Sequence, residues 1–308
     1  MQFSVTVLGS NSALPTSERY PTAQILNVSE RFFLIDCGEG TQMQLRKNHI
    51  RFTRINHIFI SHLHGDHCFG LMGLISTLGL LGRTADLHIY GHGDLERIFQ
   101  PQLDYFCREM AYKVVFHVVN TGVSEVVYED NKVLVTSIPL KHRIPTCGYL
   151  FQERQSDNHI IKEQIDFYQI PVKSIAGIKK GADFTTESGE LIPNQILTIP
   201  GPAPRSYAFC SDTKYAESIV PLIKDVDLLY HEATFLSVDE KLAAKTFHST
   251  ARQAAHIAKL ANAKQLIIGH FSTRYKDLSL FEKEAATVFA NTSIAKEGCE
   301  FVVPYQTK

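Results

Sequence analysis

The stretch "INHIFISHLHGDHCFG", residues 55–70, constrains what this chain can fold into more than any other. An apolar run of the kind that forms a buried strand passes at once into His62, His64, Asp66 and His67. Two readings compete for it: a polar surface turn rich in histidine, or a pre-built metal site. The other strands decide between them.

"FSVTVLG" (3–9) reads as an alternating strand and "RFFLIDCG" (31–38) as a more buried one. Residues 87–92, 113–119, 132–140, 206–212, 226–233 and 265–272 continue the series. "EGTQMQLRKN" (39–48) reads as a helix. "STARQAAHIAKLANA" (249–263) is an amphipathic one, with Ser249 or Thr250 as N-cap. Strands and helices mixed along the whole chain imply an α/β layered fold. In such folds sites form beside the carboxyl ends of strands. The strand at 132–140 is followed by His142, the one at 206–211 by Asp212, and the one at 265–269 by His270. Four strand ends, each presenting His or Asp, favour the metal site over the surface turn.

Neutral imidazoles and carboxylates suit zinc, at about 2.0–2.2 Å, and manganese or iron by the same donors. Alternate residues of an extended segment point the same way, so His62 and His64 share one ion while Asp66 and His67 turn toward a neighbour. Two ions about 3.5–4 Å apart are suited to attack on a phosphodiester. Within the same run, Cys68 and Phe69 are expected simply to pack.

The 308 residues are 44% apolar and 20% charged, the balance of a soluble globular protein with a sizeable core. A net charge of −1 exerts no global pull on a polyanion, so a local patch or a metal must supply one. No run approaches the roughly 18–20 apolar residues of a membrane span. The N-terminus lacks a basic segment followed by an apolar one, so a cytoplasmic location without membrane contact is expected. Six cysteines, at 37, 68, 107, 147, 210 and 299, form no CxxC pair and read as reduced thiols. Residues 152–205 break the rhythm: six Lys/Arg stand against seven Asp/Glu, with "GIKKG" and "IPGPAPR" inside. They read as an irregular insertion projecting from a single domain spanning 1–308.

With these residues in view, the chain resembles the metallo-β-lactamase superfamily, whose signature is H-x-H-x-D-H. It resembles the ribonuclease Z family in particular, through "LGSNSALPTSER" (8–19), "DCGEGTQMQL" (36–45), "SHLHGDHCFGLMGLI" (61–75), "HEATF" (231–235), "HSTARQAA" (248–255) and "GHFSTRY" (269–275). The resemblance implies an αβ/βα sandwich, two facing mixed sheets with outer helices, and a homodimer. It implies two Zn2+ per subunit, one on His62, His64 and His142, the other on Asp66, His67 and His270, with Asp212 bridging. Asp66 would also act as general base and His248 as proton donor, on precursor tRNA. Beginning a helix at 249, His248 would sit in a field that favours the neutral imidazole, while a substrate phosphate nearby would favour the protonated form, and the sequence leaves the two opposed. Glu232 and Asp36 are candidate orienting carboxylates. Arg274, Thr16 and Arg19 are candidate substrate contacts. The family's insertion carries a Gly-Pro-rich run that grips tRNA. Here "QIPVKSIAGIKKG" keeps Gly177, Lys179, Lys180 and Gly181 without the Gly-Pro pair. The rival enzyme is a superfamily hydrolase of small phosphodiesters, lactones or other esters. A β-lactamase is disfavoured because Asp212 stands where those enzymes commonly use cysteine. A non-enzymatic RNA-binding relative is disfavoured because all seven ligand positions are intact.

Overall fold

The computed structural model describes residues 2–305, most of them in or around two seven-stranded sheets. The first sheet orders β18 (Glu300–Val302), β1 (Phe3–Gly9), β2 (Ala23–Val28), β3 (Arg31–Ile35), β4 (Ile55–Phe59), β5 (Leu87–Gly91) and β6 (Val114–Val118). The second orders β17 (Thr292–Ile294), β16 (Gln265–Gly269), β15 (Leu228–Glu232), β14 (Ser206–Cys210), β9 (Cys147–Glu153), β8 (Val133–Pro139) and β7 (Val126–Glu129). β3 to β6 pair in parallel, and so do β14 to β17. Parallel neighbours need crossovers. Helices Thr41–Lys47, Leu71–Leu80, Asp94–Phe106, Ala251–Leu260 and Ser279–Ala286 lie in five of the six, and the 3-10 segment Glu217–Ile223 lies in the one between β14 and β15.

An aromatic-rich core that includes Phe33, Phe59, Tyr149, Phe151, Tyr207 and Phe209 draws on both sheets. A second cluster joins the outer face of the first sheet, at Leu34, Ile58 and Ile60, to Leu71, Leu74 and Ile75 of a crossover helix. A third joins Leu229, Leu266 and Ile268 to Ala254, Ala255 and Ala258, small residues that let helix and sheet approach closely. The result is the αβ/βα sandwich, helices outside and two sheets within. Covering the inner strands on both faces has a consequence for β1. Its expected alternation is absent, and only Thr6 of Phe3–Gly9 escapes full burial. β2 escapes the sequence pattern because Gln24 and Asn27 are buried polar positions within it, and Gln24 accepts a hydrogen bond from Tyr207.

The expected irregular interval is instead built of short elements. Residues 153–204, with 130–132, form a second compact unit. It pairs β10 (His159–Ile160) with β13 (Thr198–Ile199) and β11 (Phe184–Thr185) with β12 (Leu191–Ile192). Helices Lys162–Phe167, Val172–Lys179 and Asn194–Leu197 complete it. Its core is Ile170, Ile178, Ile192 and Leu197. The Asn194 amide donates to the carbonyls of Ile178 (2.6 Å) and Ala182 (2.8 Å), tying three segments together. Elements this short carry no readable period. Among the described residues no helix is long and apolar enough to cross a membrane.

Candidate metal centre

Strand ends bring the ionisable residues together. β4 ends at Phe59, and His62 and His64 follow in the connecting loop. His64 is still extended, at φ −71° and ψ 147°, and the backbone turns helical over Gly65–Cys68. That change of conformation separates the two halves of the motif: His62 and His64 face one way, Asp66 and His67 another. His270 follows β16 at φ 62° and Asp36 follows β3 at φ 55°, left-handed positions at which a non-glycine residue is uncommon.

Seven side chains converge in two groups that share Asp212. In the first, His62 Nε2 lies 3.0 Å from His64 Nδ1, and His142 Nε2 lies 3.3 Å from the same atom. Asp212 Oδ2 is 3.6 Å from His62 and 3.8 Å from His142. In the second group, His67 Nε2 and His270 Nε2 each lie 3.4 Å from Asp66 Oδ2. Asp212 Oδ1 is 3.4 Å from His67 and 3.1 Å from His270. Donors about 2.0–2.2 Å from a shared tetrahedral ion would stand roughly 3.3–3.6 Å apart. The spacings here cluster around that figure, and one oxygen of Asp212 faces each group.

The opposite edges of the rings are held. His67 Nδ1 donates to Asp36 Oδ2 at 2.7 Å, and Asp36 also accepts from the Ser61 amide (2.7 Å) and hydroxyl (2.9 Å). His62 Nδ1 meets Ser61 Oγ at 3.0 Å, His142 Nδ1 donates to the Phe247 carbonyl at 2.9 Å, and His270 Nδ1 meets Thr234 Oγ1 at 2.9 Å. Thr234 Oγ1 spends its own proton on Glu232 Oε2, 2.9 Å away, so it accepts from His270. Four imidazoles therefore set their Nδ1 proton on these supports and turn the Nε2 edge inward, whereas His64 turns Nδ1 inward.

Burial holds His62 well below its ordinary pKa and also lowers His64 and His142, so these rings are neutral donors. His67 behaves otherwise. Burial opposes its charge, yet Asp212, Asp66 and Asp36 outweigh burial and raise its pKa well above the usual value. Burial acts against the charges on Asp66 and Asp212, but the surrounding histidines hold both carboxyls below the ordinary range. A buried cluster of carboxylates demands a positive charge, and a divalent cation satisfies that demand. Consistent with this, His67 Nε2 and Asp212 Oδ1 are buried atoms without a hydrogen-bond partner. The donor set fits a pair of such ions.

His248 stands beside both groups. Its Nδ1 contacts Glu232 Oε1 at 3.0 Å and lies 3.9 Å from Asp212 Oδ2. The helix behind it begins at Ala251, with Thr250, the second of the two expected caps, as N-cap in a capping box with Gln253. The field that governs His248 is therefore that of Glu232 rather than of the helix terminus. Burial opposes the charge, but Glu232 and then Asp212 raise the pKa to about 9, which favours the protonated form. Glu232 is itself anchored by the amides of Thr213, Thr234 and Ser249.

A cleft of about 590 Å³ opens over the donors, lined by His64, Asp66, Asp212, His248 and His270 together with Ala13, Pro15, Phe69 and Phe235. Phe69, expected to pack, is 71% exposed on this lining. Thr16, Arg19 and Arg274 lie outside the lining. Thr16 Oγ1 accepts from the Arg19 amide at 2.9 Å, and Arg19 Nη2 donates to the Tyr275 carbonyl at 3.4 Å, so both shape the loop over 11–20. Exposed Arg274 places its guanidinium 5.8 Å over the Phe235 ring. Lys179 and Lys180 close the helix Val172–Lys179 of the second unit. Sequence reasoning passed over Ser61, Thr234 and the Phe247 carbonyl as supports. It also passed over Ala13, left-handed at φ 46°, whose amide donates to Asp66 Oδ2 at 2.8 Å. Ser61 and Thr234 sit inside the motifs "SHLHGDH" and "HEATF", so their place beside the ligands was a usable signal. A backbone carbonyl leaves none.

A family model described as anti-Pycsar protein Apyc1 matches residues 3–111. Ribonuclease Z of Phocaeicola vulgatus is 56% identical over 296 residues, covering 96% of each chain. The crystal structure of human tRNase Z, short form, superposes with a TM-score of 0.71 at 26% identity, covering 98% of this chain and 99% of that one. The metallo-β-lactamase fold protein YhfI from Bacillus subtilis superposes with a TM-score of 0.69 at 21% identity, over 98% of this chain and all of that one, a likeness of fold.

Proposed function

Because the chain belongs to the ribonuclease Z family and has the metallo-β-lactamase fold, we propose that it is a two-metal endoribonuclease that cuts the 3′ trailer from precursor tRNA and leaves a 3′-hydroxyl. The observation that carries this reading is Asp212, with one carboxylate oxygen toward each group of donors.

His62, His64 and His142 would hold one ion, Asp66, His67 and His270 the other, and Asp212 both. Bound there, zinc (or manganese or iron, which the same donors accept) would supply a water of lowered pKa and positive charge facing the phosphate. The Ala13 amide fixes Asp66 Oδ2, and the Asp66 carboxylate takes the proton of the attacking water. The new bond forms between that oxygen and phosphorus, and the bond from phosphorus to the 3′-oxygen breaks. His248, kept protonated by Glu232, delivers its proton to the departing 3′-oxygen. Asp36 and Thr234 hold His67 and His270 in their ligating tautomers. Arg274, Thr16 and Arg19 serve substrate placement outside the cleft lining. The unit over 153–204 serves as the tRNA-gripping arm, through Lys179 and Lys180 in place of a Gly-Pro run. The family resemblance supports a homodimer, and action on precursor tRNA supports a cytoplasmic location.

Cleavage of an end-labelled precursor tRNA, with and without chelator, by wild type and by Asp66→Ala tests the reading. Trailer release abolished by chelator and by the substitution is expected. Cleavage that survives either one overturns the mechanism. A metal-loaded protein that hydrolyses a small phosphodiester but no precursor overturns the substrate and favours the rival hydrolase.

A further inference from the structure

Phe69 is a large aromatic side chain, 71% exposed, on the lining of the metal cleft. A lone exposed apolar residue is ordinary. A ring with a reserved berth beside two groups of metal donors is not. The berth is made by Gly65, where an added Cβ would lie 2.2, 2.4 and 2.7 Å from three carbons of the Phe69 ring. Gly65 is not among the glycines with positive φ, so its backbone does not itself require glycine. The missing side chain makes room for the ring. The Phe69 amide donates to the Gly65 carbonyl at 2.9 Å and fixes the residue one helical turn from Gly65.

The chemistry of the lining points to what the ring meets. His67 and Asp212 are buried, while Phe69 faces solvent on the same cleft. A nucleic-acid strand alternates an anionic phosphate with a flat, weakly polar base, and unpaired bases are bound by stacking on aromatic side chains. A phosphate seated at the donors would bring a neighbouring base to the exposed ring. Neither a lactone nor a simple ester carries such a second, planar group at a fixed distance from the reacting centre.

Resting on the reading that the substrate is an RNA strand, we propose that Phe69 is the stacking platform for a nucleobase next to the scissile phosphate. It holds the strand so that the phosphate meets the donors in register.

A double-substitution cycle on the metal-loaded protein tests this. Wild type, Phe69→Ala and Phe69→Trp are each given an intact precursor tRNA and precursors with a single abasic residue on one or the other side of the cut. Phe69→Ala is expected to lower kcat/KM on the intact precursor about tenfold to a hundredfold, the span of one base–aromatic stack. Phe69→Trp retains most of the rate. At one of the two abasic positions wild type loses a similar factor, and Phe69→Ala loses little more on that substrate, because both changes remove the same contact. Metal content and melting temperature are measured alongside. Should the alanine variant lose metal, Phe69→Leu keeps the apolar bulk without the ring face and runs the same cycle. Unchanged cleavage of the intact precursor, or losses that multiply at both positions, overturns the proposal. Wild type that cuts no precursor fails the substrate reading instead, and that outcome is distinct from either.

Discussion

The donor cluster and the unit over 153–204 solve opposite problems. In the cluster, His62, His67, Asp212 and His270 are buried, and their outer edges or neighbours are tied to Asp36, Ser61 and Thr234. The second unit has a small core of four buried aliphatic residues with partly buried ones around it, and leaves Phe167 and Val172 in solvent, at 76% and 85% exposure. Chemistry that depends on tenths of an ångström is placed on strand ends locked by two cores. A unit proposed to grip a large, shaped RNA needs surface more than rigidity, and a four-residue core with apolar groups outside provides that.

The comparison breaks most sharply at Asp212. Asp212→Ala removes an oxygen from each group of donors, so precursor cleavage should fall about ten-thousandfold or more. Metal content, read by atomic emission, should fall with it; a variant that keeps both ions and its rate would show that the two groups do not depend on a shared carboxylate.

Next comes the proposed proton donor. His248→Ala should cost roughly a hundredfold to ten-thousandfold in kcat, the range of general acid catalysis, with metal content unchanged. Glu232→Gln tests how the proton is held. In the proposed mechanism the acid form of His248 is the active one, and Glu232 raises its pKa to about 9, so activity should fall as pH rises through the folded value. Removing the Glu232 charge should move that alkaline fall to lower pH. Bound cations repel the imidazolium and lower its pKa in both proteins, so the difference between the two profiles carries the test. An alkaline limb that does not move would detach Glu232 from the proton step.

Supports of the proposed ligands should matter less than the proposed ligands themselves. Asp36→Asn and Thr234→Val should each cost about tenfold to a hundredfold in metal affinity or activity, measured by competition with a chelator. Equal losses for ligands and supports would erase the distinction between them.

The second unit should show the smallest effect and a different signature. Changing Lys179 and Lys180 together to alanine should raise KM for precursor tRNA and reduce the slope of log KM against log salt by about two. Hydrolysis of a small phosphodiester should be unaffected. By contrast, Ile178→Ala should destabilise that unit by about 2–4 kcal/mol, visible as early local proteolysis. A uniform loss on both substrates would mean that the unit supports the donor cluster rather than the RNA.

Much of this was legible before any coordinates. His62, His64, His142, Asp212 and His270 stand directly after strands readable from their apolar runs, and the helix after His248 announces itself by its period. What was misread follows from contacts between segments far apart in sequence. β1 read as alternating because a strand's own residues do not reveal that both its faces are covered. The charge of His248 stays open in the sequence, between helix field and substrate phosphate, since nothing local shows that Glu232, sixteen residues earlier, lies 3.0 Å away. Phe69 read as a packing residue because exposure belongs to the surroundings and not to the side chain.

The sequence by itself determined the donor types, their order along the chain, and the strand ends from which they project, because strand periodicity and the choice of His and Asp are local properties. The grouping of the donors came from the family resemblance, and only the tertiary structure decided at what distances they stand and which edge each ring presents. It alone set how Asp212 divides its oxygens, which carboxylate keeps His248 charged, and that Phe69 faces the cleft. Those are distances across two sheets, and a one-dimensional pattern holds no record of them until the sheets have packed.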